Sequence, residues 1–193
     1  MKSICVYCGS ARQASQKYFV AARRMGETIA RGGLTLVYGG GRTGLMGAVA
    51  DSALAVGGQV IGVITEGMNT PELAHTHLTR LEVTHTIHQR KARMYALADG
   101  YLALPGGYGT LDELFETLTW AQIGEHHKPV GLLNVDGYYE PLLEMLDRAV
   151  AEKFLFPEHR RALLCAAEPE ELLELMNSHV YPREAVERWM RQE

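Results

Sequence analysis

The sequence predicts an α/β fold in which a doubly wound parallel sheet has helices on both faces, and three observations support this. Short β-prone runs alternate with amphipathic helical patterns along the chain. Two successive strand-and-helix units between residues 3 and 64 have the crossover length that parallel strands require. The turns after the strands are rich in glycine and other small residues. The 193 residues have the length of a single domain of this class.

Each element follows from a local pattern of apolar residues. In the first helix, apolar side chains recur at helical spacing from Tyr18 to Ile29, and Gly32 and Gly33 follow as a C-terminal cap. The predicted strands cover residues 3–7, 34–38, 59–64, 81–84, 101–104 and 128–133. The predicted helices cover residues 15–31, 45–56, 87–98, 111–121, 139–150, 170–177 and 181–193. The helices from about residue 168 onward are expected to pack on this domain or to extend from it.

The composition excludes several classes of protein. The net charge of −4 at pH 7 gives no basic face for nucleic acid, and no apolar run is long enough to span a membrane. The N-terminus leads directly into a strand, without the charged and apolar segments of a signal peptide. The 3 cysteines are an odd number, which argues against a disulfide framework. We therefore expect a cytoplasmic protein with neither nucleic acid nor a membrane as its partner.

Two short motifs have the spacing of redox or metal sites, but a structural interpretation is favoured for both. Cys5 and Cys8 are spaced like a redox pair, yet residues three apart in a strand point to opposite faces, which predicts core packing. His75 and His77 could share a metal ion, but no third or fourth ligand lies nearby in the sequence. No metal site is predicted.

Small-residue turns follow three of the predicted strands. In a parallel sheet of this kind the ligand lies beyond the carboxyl ends of the strands, so the three turns are expected to meet at one crevice and to bind a nucleotide-like ligand. The candidate ligand-binding residues of the first two turns are Gly9, Ser10, Gly40, Gly41, Thr43 and Gly44. Those of the third turn are Gly106, Gly107, Tyr108, Gly109 and Thr110. The polar stretch 65–78, which contains Glu72, is predicted to be a loop over this crevice.

The third turn has the features of an anion-binding site. Its glycines keep Cβ atoms away, so backbone N–H groups are able to approach a ligand closely, and the N-terminus of the following helix favours negative charge. Glu113 lies one turn into that helix, where a carboxylate beside a bound phosphate would reach the sugar. The alternative is that Thr110 and Glu113 form a capping box and have no chemical role.

The start of the helix predicted at residues 87–98 is basic, with Arg90, Lys91 and Arg93 close together. On helical geometry Arg90 shares a face with Met94, whereas Arg93 points elsewhere. A solvated basic face is one interpretation of this pattern. Because the segment shortly precedes the anion-binding turn, a functional role is the other interpretation.

Several separated motifs resemble the "lonely guy" (LOG) family of cytokinin riboside 5′-monophosphate phosphoribohydrolases, which were long labelled possible lysine decarboxylases. Residues 105–113, Pro-Gly-Gly-Tyr-Gly-Thr-Leu-Asp-Glu, match the family signature P-G-G-x-G-T-x-x-E, and residues 90–94 match its R-K-x-x-M element. Further similarity covers residues 8–10, 39–47, 120–122 and 131–139. The resemblance is specific because these motifs occur in the family's order over about the first three-quarters of the chain.

The resemblance implies a Rossmann-like homodimer that cleaves the N-glycosidic bond of a nucleoside 5′-monophosphate and releases the free base and ribose 5-phosphate. It implies no cofactor, and N6-prenylated adenine nucleotides are the substrates that the family's name indicates. It also implies that Arg90 and Glu113 are the catalytic pair. The other residues that it assigns to the nucleotide site are Glu72, Lys91, Thr119 and residues 107–110.

This chemistry agrees with the residues identified from pattern alone. Cleavage of the C1′–N bond passes through an oxocarbenium-like state, which a carboxylate such as Glu113 near the ribose would stabilise. Arg90 stays cationic and would either clamp the phosphate or polarise the departing base. A non-enzymatic carrier of a phosphate-bearing cofactor is the alternative, since molybdenum-cofactor carriers are similar in fold and glycine loop. A decarboxylase would need pyridoxal phosphate on a lysine, for which Lys91 gives no support.

Overall fold

Seven parallel strands form one sheet in the computed structural model, which describes residues 1–191. The strands are β1 Ser3–Tyr7, β2 Thr35–Tyr38, β3 Val60–Thr65, β4 Arg80–Thr84, β5 Tyr101–Ala103, β6 Val130–Leu133 and β7 Leu163–Ala166. Their spatial order is β4-β3-β2-β1-β5-β6-β7, and every neighbouring pair is parallel. The chain therefore builds the sheet outward from β1 on one side and then returns to the centre to build the other side from β5.

Helices cover both faces of this sheet, which confirms the predicted fold class. They are α1 Gln16–Arg31, α2 Gly44–Ala55, α3 Ile87–Leu97, α4 Tyr108–Gln122, α5 Glu140–Ala151, α6 Pro157–Ala162, α7 Pro169–Ser178 and α8 Arg183–Arg191. Short 3-10 turns at Glu66–Met68 and Val135–Gly137 follow β3 and β6. Within residues 1–191 no helix has both the length and the apolar character needed to cross a membrane.

Alternating side chains of the strands build two cores, one on each face. Ile4 and Val6 of β1 pack with residues of α1, α2 and α7, whereas Cys5 and Tyr7 pack with residues of α3, α4 and α5. Cys8 belongs to the same core as Ile4 and Val6. The two cysteines are therefore buried in opposite cores, which confirms that they serve packing rather than a redox pair.

The sequence prediction missed α6 and β7. The helix runs directly into the strand, since Ala162 ends α6 and Leu163 begins β7. Because α6 has only 6 residues and no glycine, proline or asparagine separates it from β7, neither an apolar period nor a turn signal marked this boundary. The predicted helix at 181–193 is observed as α8, and its last two residues lie outside the described part of the chain.

The return of the chain from β4 to β5 creates the position at which a ligand would bind. β1 and β5 are neighbours, but the connection after β1 leads to α1 on one face and the connection after β5 leads to α4 on the other. A crevice opens at the carboxyl ends of two neighbouring strands whose connections leave toward opposite faces, and it is the usual ligand site of doubly wound sheets. The turns after β1 and β5 therefore meet at this point, as predicted.

Candidate active site

A cavity of about 650 Å³ opens at this edge of the sheet. The turns after β1, β2 and β5 line it, together with residues of α3, α4 and the loop between β3 and β4. The predicted site residues that line it are Gly9, Ser10, Gly41, Thr43, Arg90, Gly106, Gly107, Tyr108, Gly109, Thr110 and Glu113. A cavity of this size accommodates a ligand as large as a nucleotide.

Open backbone donors lie where α4 begins. Gly107 is the N-cap, no side chain caps the helix, and the first intrahelical bond runs from the Leu111 N–H to the Gly107 carbonyl at 3.0 Å. The N–H groups of the preceding turn have no acceptor within the helix. A Cβ added at Gly107 or Gly109 would meet no protein atom within 4 Å. An anion in the cavity could therefore contact these donors and the positive end of the helix dipole.

Thr110 and Glu113 do not form a capping box, so that alternative is wrong. Both residues lie inside α4, whose N-cap is Gly107. A capping box is present at the start of α3 instead, where the Gln89 N–H donates to Thr86 Oγ1 at 3.1 Å and the Thr86 N–H donates to Gln89 Oε1 at 3.2 Å. This box fixes the beginning of the helix that carries Arg90.

Thr110 packs directly against the glycine turn. A Cβ at Gly106 would lie 2.0 Å from Thr110 Oγ1 and 2.9 Å from the backbone nitrogen of Gly9. The Gly9 N–H also donates to the Pro105 carbonyl at 3.1 Å, so the turns after β1 and β5 are bonded to each other. The absence of a side chain at Gly106 therefore allows Thr110, which is buried but lines the cavity, to lie beside the open N–H groups.

Arg90 reaches the floor of the cavity from α3 and is buried. Its Nε donates to the Val63 carbonyl at 2.9 Å, and its Nη2 donates to the Gly39 carbonyl at 3.3 Å. A Cβ at Gly39 would lie 1.9 Å from Nη2, so glycine is needed there to make room for the guanidinium. Arg90 and Met94 share the buried face of α3, as predicted, and the interpretation of Arg90 as part of a solvated basic face is wrong.

Arg90 and Glu113 form a buried ion pair on the cavity wall. Nη1 of Arg90 donates to Oε1 of Glu113 at 2.9 Å, and the two side chains are only 9% and 13% exposed. Burial raises the pKa of Glu113, although the charge and hydrogen bond of Arg90 act in the opposite direction. Glu113 follows Thr110 by three residues, about 4.5 Å along the helix axis. The carboxylate therefore lies one turn beyond the proposed anion position.

Much of the remaining lining is apolar and was not identified from the sequence. It includes Tyr18, Met46, Met68, Leu73, Ile87 and Tyr138. Met68 and Leu73 belong to the loop between β3 and β4, where they are isolated among polar residues and gave no periodic signal. The Arg42 N–H donates to the Leu73 carbonyl at 2.8 Å, and Gly41 forms an antiparallel bridge with Ala74. These bonds hold the loop over the crevice, as predicted.

Five of the predicted ligand-binding residues do not line the cavity: Gly40, Gly44, Glu72, Lys91 and Thr119. Gly40 is buried with a φ of 73°, and its carbonyl accepts the His75 N–H at 2.9 Å. Glu72 is exposed and borders a neighbouring shallow hollow that Arg42 also lines. Thr119 is exposed on α4, at a separate small hollow. Contact of these residues with a ligand stays a prediction.

Lys91 connects the two helices that carry the ion pair. Its Nζ lies 3.0 Å from a Glu116 carboxylate oxygen and 3.1 Å from one of Asp112. Burial lowers the pKa of Lys91, but the two carboxylates outweigh this effect and raise it overall. Lys91 therefore stays cationic and ties α3 to α4, which supports the relative position of Arg90 and Glu113.

The glycine-rich turn after β2 is closed, in contrast to the turn after β5. The Leu45 N–H, in the first turn of α2, donates to the Gly9 carbonyl at 2.9 Å, and Thr43 Oγ1 donates to the Ser10 carbonyl at 3.0 Å. A Cβ at Gly44 would lie only 2.4 Å from the carbonyl carbon of Ser10. The turn after β1 therefore occupies the N-terminus of α2 and blocks access of an anion to it.

The two histidines of the loop between β3 and β4 have structural partners. His75 Nε2 lies 2.8 Å from an Asp51 carboxylate oxygen, and its Nδ1 accepts the His77 N–H at 3.2 Å. Among the described residues, no group of three or more His, Cys, Asp or Glu side chains is arranged to hold a metal ion. The His75 bond to Asp51 instead attaches the loop to α2.

Several known proteins are similar to this chain. The family model described as "Possible lysine decarboxylase" matches residues 46–176. The cytokinin riboside 5′-monophosphate phosphoribohydrolase of Rhodococcoides fascians is 50% identical over 166 residues, which cover 85% of this chain and 84% of that protein. The cytokinin riboside 5′-monophosphate phosphoribohydrolase LOG of Oryza sativa subsp. japonica is 45% identical over 179 residues, 93% of this chain and 74% of that protein.

Solved structures include close matches in fold. The molybdenum cofactor binding protein from the phototrophic bacterium Rippkaea orientalis matches with a TM-score of 0.70 at 27% identity, over 92% of this chain and 97% of that chain. The sequence identity to the two phosphoribohydrolases is much higher than this, and the family model matches most of the chain. The chain therefore belongs to the LOG family, to which the description "Possible lysine decarboxylase" refers.

Proposed function

We propose that this protein hydrolyses the N-glycosidic bond of adenosine 5′-monophosphates, above all those modified at N6, and releases the free base and ribose 5-phosphate. The observation on which the proposal depends is the buried Arg90–Glu113 pair, one helical turn beyond the open N-terminus of α4. A phosphate bound by the N–H groups of that turn would bring its ribose next to the Glu113 carboxylate. The two phosphoribohydrolase relatives have names that describe this activity.

The two side chains of the pair have different roles in this proposal. Hydrolysis breaks the C1′–N9 bond, the electron pair goes to the base, which takes up a proton, and a water oxygen bonds to C1′. Positive charge develops on the ribose, and the Glu113 carboxylate stabilises it. Arg90 orients that carboxylate through its bond to Oε1. Three of its five N–H donors are used by protein acceptors, so two are left for the substrate.

The apolar part of the cavity supports a substrate with a hydrocarbon group on the base. Met68, Leu73 and Ile87 line the cavity and are 37%, 43% and 43% exposed. Burial of such apolar surface by an N6 substituent would contribute about 25 cal/mol per Å². A plain adenine would leave more of this surface in water, so we expect it to bind more weakly.

A lysine decarboxylase is disfavoured by the position and charge of the lysines. A Schiff base to pyridoxal phosphate needs a lysine in the cavity whose amine loses its proton readily. Within the described residues, no lysine lines the cavity. Lys91 directly follows Arg90, and its ion pairs with Glu116 and Asp112 raise its pKa rather than lower it.

Release of free base from two nucleotides tests the proposal. The purified protein is incubated with AMP and with isopentenyladenosine 5′-monophosphate, and free base is followed by chromatography. We expect release from both, faster from the prenylated nucleotide, and a loss of at least about 100-fold in kcat for Glu113→Gln because a neutral amide does not stabilise the cationic ribose.

The matched control for this experiment is Glu116→Gln. It removes a carboxylate from the same helix, but that carboxylate pairs with Lys91 outside the cavity. We expect it to retain activity because Asp112 still pairs with Lys91 and keeps α3 tied to α4, and thermal unfolding checks that both variants are folded. Full activity of Glu113→Gln, or no base release by the folded wild-type protein, would contradict the proposal.

The second candidate function is a carrier of a phosphate-bearing cofactor. It is favoured by the structural match to the molybdenum cofactor binding protein. An open anion site suits such a carrier equally well, but binding alone gives no reason for a buried Arg90–Glu113 pair beside it. Mass spectrometry of the purified protein distinguishes the two functions, because a co-purified pterin without base release would favour the carrier.

We further propose that the protein is a homodimer. This is supported by two large apolar side chains that the described chain leaves uncovered: Met145 in α5 and Phe154 shortly after it are 64% and 84% exposed. Uncovered apolar surface of this kind is typical of interfaces. Sedimentation should give twice the chain mass of 21.4 kDa, and Met145→Glu should weaken the dimer. A monomer at micromolar concentration would contradict this part of the proposal.

A cytoplasmic location and a single-domain organisation complete the proposal, and both are supported by the sequence. The odd number of cysteines favours a reducing compartment. The length of 193 residues suits one domain. Cell fractionation and limited proteolysis test the two statements separately, and stable fragments from cleavage at one internal segment would contradict the second.

A further inference from the structure

The hydroxyl of Tyr138 is bonded to the backbone of the anion-binding turn. It donates to the Gly106 carbonyl at 2.6 Å. The C=O and N–H of a trans peptide point in opposite directions, so the Gly107 N–H points away from Tyr138. Gly107 lines the cavity immediately before α4, and a Cβ there would meet no protein atom. The orientation of this peptide therefore determines whether one more N–H donor is available beside the first turn of α4.

The Gly106–Gly107 peptide has little intrinsic restraint. Both of its residues are glycine, which samples a wide range of backbone conformations. A flipped peptide would present the Gly106 carbonyl oxygen, with its partial negative charge, in place of the N–H donor. A bond to the Gly106 carbonyl from outside the turn opposes this flip, and the Tyr138 hydroxyl makes that bond.

The Tyr138 ring is itself held in place by its surroundings. It packs edge to face against Tyr18, with ring centroids 5.5 Å apart, and against Tyr139 at 5.0 Å. The two residues before it, Asp136 and Gly137, have φ values of 52° and 72°, which form a tight turn after β6. Lys17 forms an ion pair with Asp136 and links this turn to α1. The hydroxyl thus reaches the glycine turn from a rigid support.

We propose that Tyr138 is a positioning residue for the phosphate of the substrate. Its hydroxyl fixes the Gly106–Gly107 peptide so that the Gly107 N–H joins the open N–H groups of α4 in binding a phosphate monoester. This inference rests on the proposed function, because it assigns the phosphate of that substrate to this end of the cavity. Tyr138 does not take part in bond cleavage.

Tyr139 provides a matched control. Its hydroxyl donates to the Leu104 carbonyl at 2.7 Å, so it makes the same kind of bond to the same segment of chain. Leu104 precedes the turn and is fully buried, so this bond supports the core and not the phosphate donors. Tyr139→Phe should therefore lower thermal stability without changing phosphate affinity. Tyr138→Phe should weaken phosphate binding without lowering thermal stability.

Calorimetric titration with ribose 5-phosphate and with inorganic phosphate tests the proposal without relying on turnover. For Tyr138→Phe we expect the Kd of both ligands to rise roughly tenfold, in line with the loss of one backbone donor to a charged group. KM for the nucleotide should rise similarly, while kcat changes by less than about threefold. Inhibition by free adenine, which has no phosphate, should be unchanged.

The outcomes separate the role of Tyr138 from the proposed function. If the wild-type protein binds both phosphate ligands and Tyr138→Phe binds them equally well, the positioning role is wrong and the proposed function is unaffected. If Tyr138→Phe weakened the binding of adenine and of the phosphate ligands equally, the site would be distorted as a whole. That result would also overturn the positioning role. If the wild-type protein binds neither ribose 5-phosphate nor inorganic phosphate but still releases free base, the phosphate site at this turn and the positioning role are wrong. Absence of base release, by contrast, contradicts the proposed function.

Discussion

The two glycine-rich turns after β2 and β5 are similar in sequence but use glycine for different purposes. In the turn after β2, a Cβ at Gly47 would lie 2.2 Å from the Arg42 carbonyl oxygen, and a Cβ at Gly44 would lie 2.4 Å from the backbone of Ser10. In the turn after β5, the corresponding positions at Gly107 and Gly109 are empty. Glycine is required by packing in the first turn, whereas the protein leaves space beside it in the second.

The same difference holds for the backbone donors. The start of α2 gives the Leu45 N–H to the Gly9 carbonyl, while the start of α4 remains open to the cavity. The closed turn still contributes to the site, because Gly39 makes room for Arg90. A glycine-rich turn therefore identifies a ligand site only where both the space beside the glycine and its N–H groups are free.

Replacing Gly47 in the closed turn should have the largest effect. For Gly47→Ala we expect a loss of more than about 3 kcal/mol in the free energy of unfolding, because the new methyl group meets backbone atoms that have no room to move. Urea denaturation measures this value. A loss below about 1 kcal/mol would show that the turn after β2 adapts and would remove the contrast between the two turns.

The same substitution in the open turn, Gly109→Ala, should act on binding and not on stability. The free energy of unfolding should stay equal or rise by up to about 1 kcal/mol, since alanine favours the helix. The added methyl group projects into the free space where the phosphate is proposed to bind. The Kd of ribose 5-phosphate should therefore rise at least about tenfold in calorimetry. Unchanged affinity would mean that the open space is not the phosphate site.

The fold could be predicted from the sequence because its signals are local. Alternating strand and helix patterns with glycine turns imply a parallel sheet, and strand alternation predicts that Cys5 and Cys8 lie on opposite faces, as the two cores show. α6 and β7 were missed because they follow one another without a turn residue. Pro157 marks the start of α6, but recognising an element also requires an apolar period and a signal at its end, and the six residues of α6 offer neither.

The site could be predicted only in part, because spacing does not reveal which groups are already bonded within the protein. The Arg90 and Glu113 pairing agrees with the sequence prediction. The closed state of the turn after β2 depends on a carbonyl from a distant turn, that of Gly9, which no local pattern indicates. Met68 and Leu73 likewise line the cavity only because the connection between β3 and β4, which has no strand or α-helix, folds back on the turn after β2.

The buried Glu113 beside the open turn should also give the activity an unusual dependence on pH. In the proposed reaction Glu113 acts as an anion, and burial raises its pKa, so kcat should fall as pH decreases through a value above the usual glutamate range. Asp112 also raises the pKa of Glu113 through its charge. Asp112→Asn should therefore move this acidic limb to lower pH, while titration of the substrate phosphate stays unchanged. A limb that does not respond to Asp112→Asn would belong to another group.

The smallest effect should be a gain in stability when Glu113 loses its charge. A carboxyl whose pKa is raised by folding binds more protons in the folded than in the unfolded state, so stability falls as pH rises through the window between the two pKa values. Glu113→Gln removes this loss and keeps an acceptor for Arg90. We expect its melting temperature to exceed that of the wild-type protein by more at pH 7.5 than at pH 4.5, with a gain of about 1 kcal/mol or less.

Thermal unfolding of the two proteins at both pH values measures this difference, and contributions from groups that do not interact with Glu113 cancel between them. Glu116→Gln, which breaks an ion pair outside the cavity, serves as the control and should give no such gain. If Glu113→Gln were less stable at pH 7.5 than at pH 4.5 relative to the wild-type protein, the ion pair with Arg90 would stabilise the fold on balance. The Arg90–Glu113 pair beside the open turn would then serve the fold itself, as the bonds of the closed turn do. In a site built for a ligand, by contrast, the charged groups gain their best partner only when the ligand is bound.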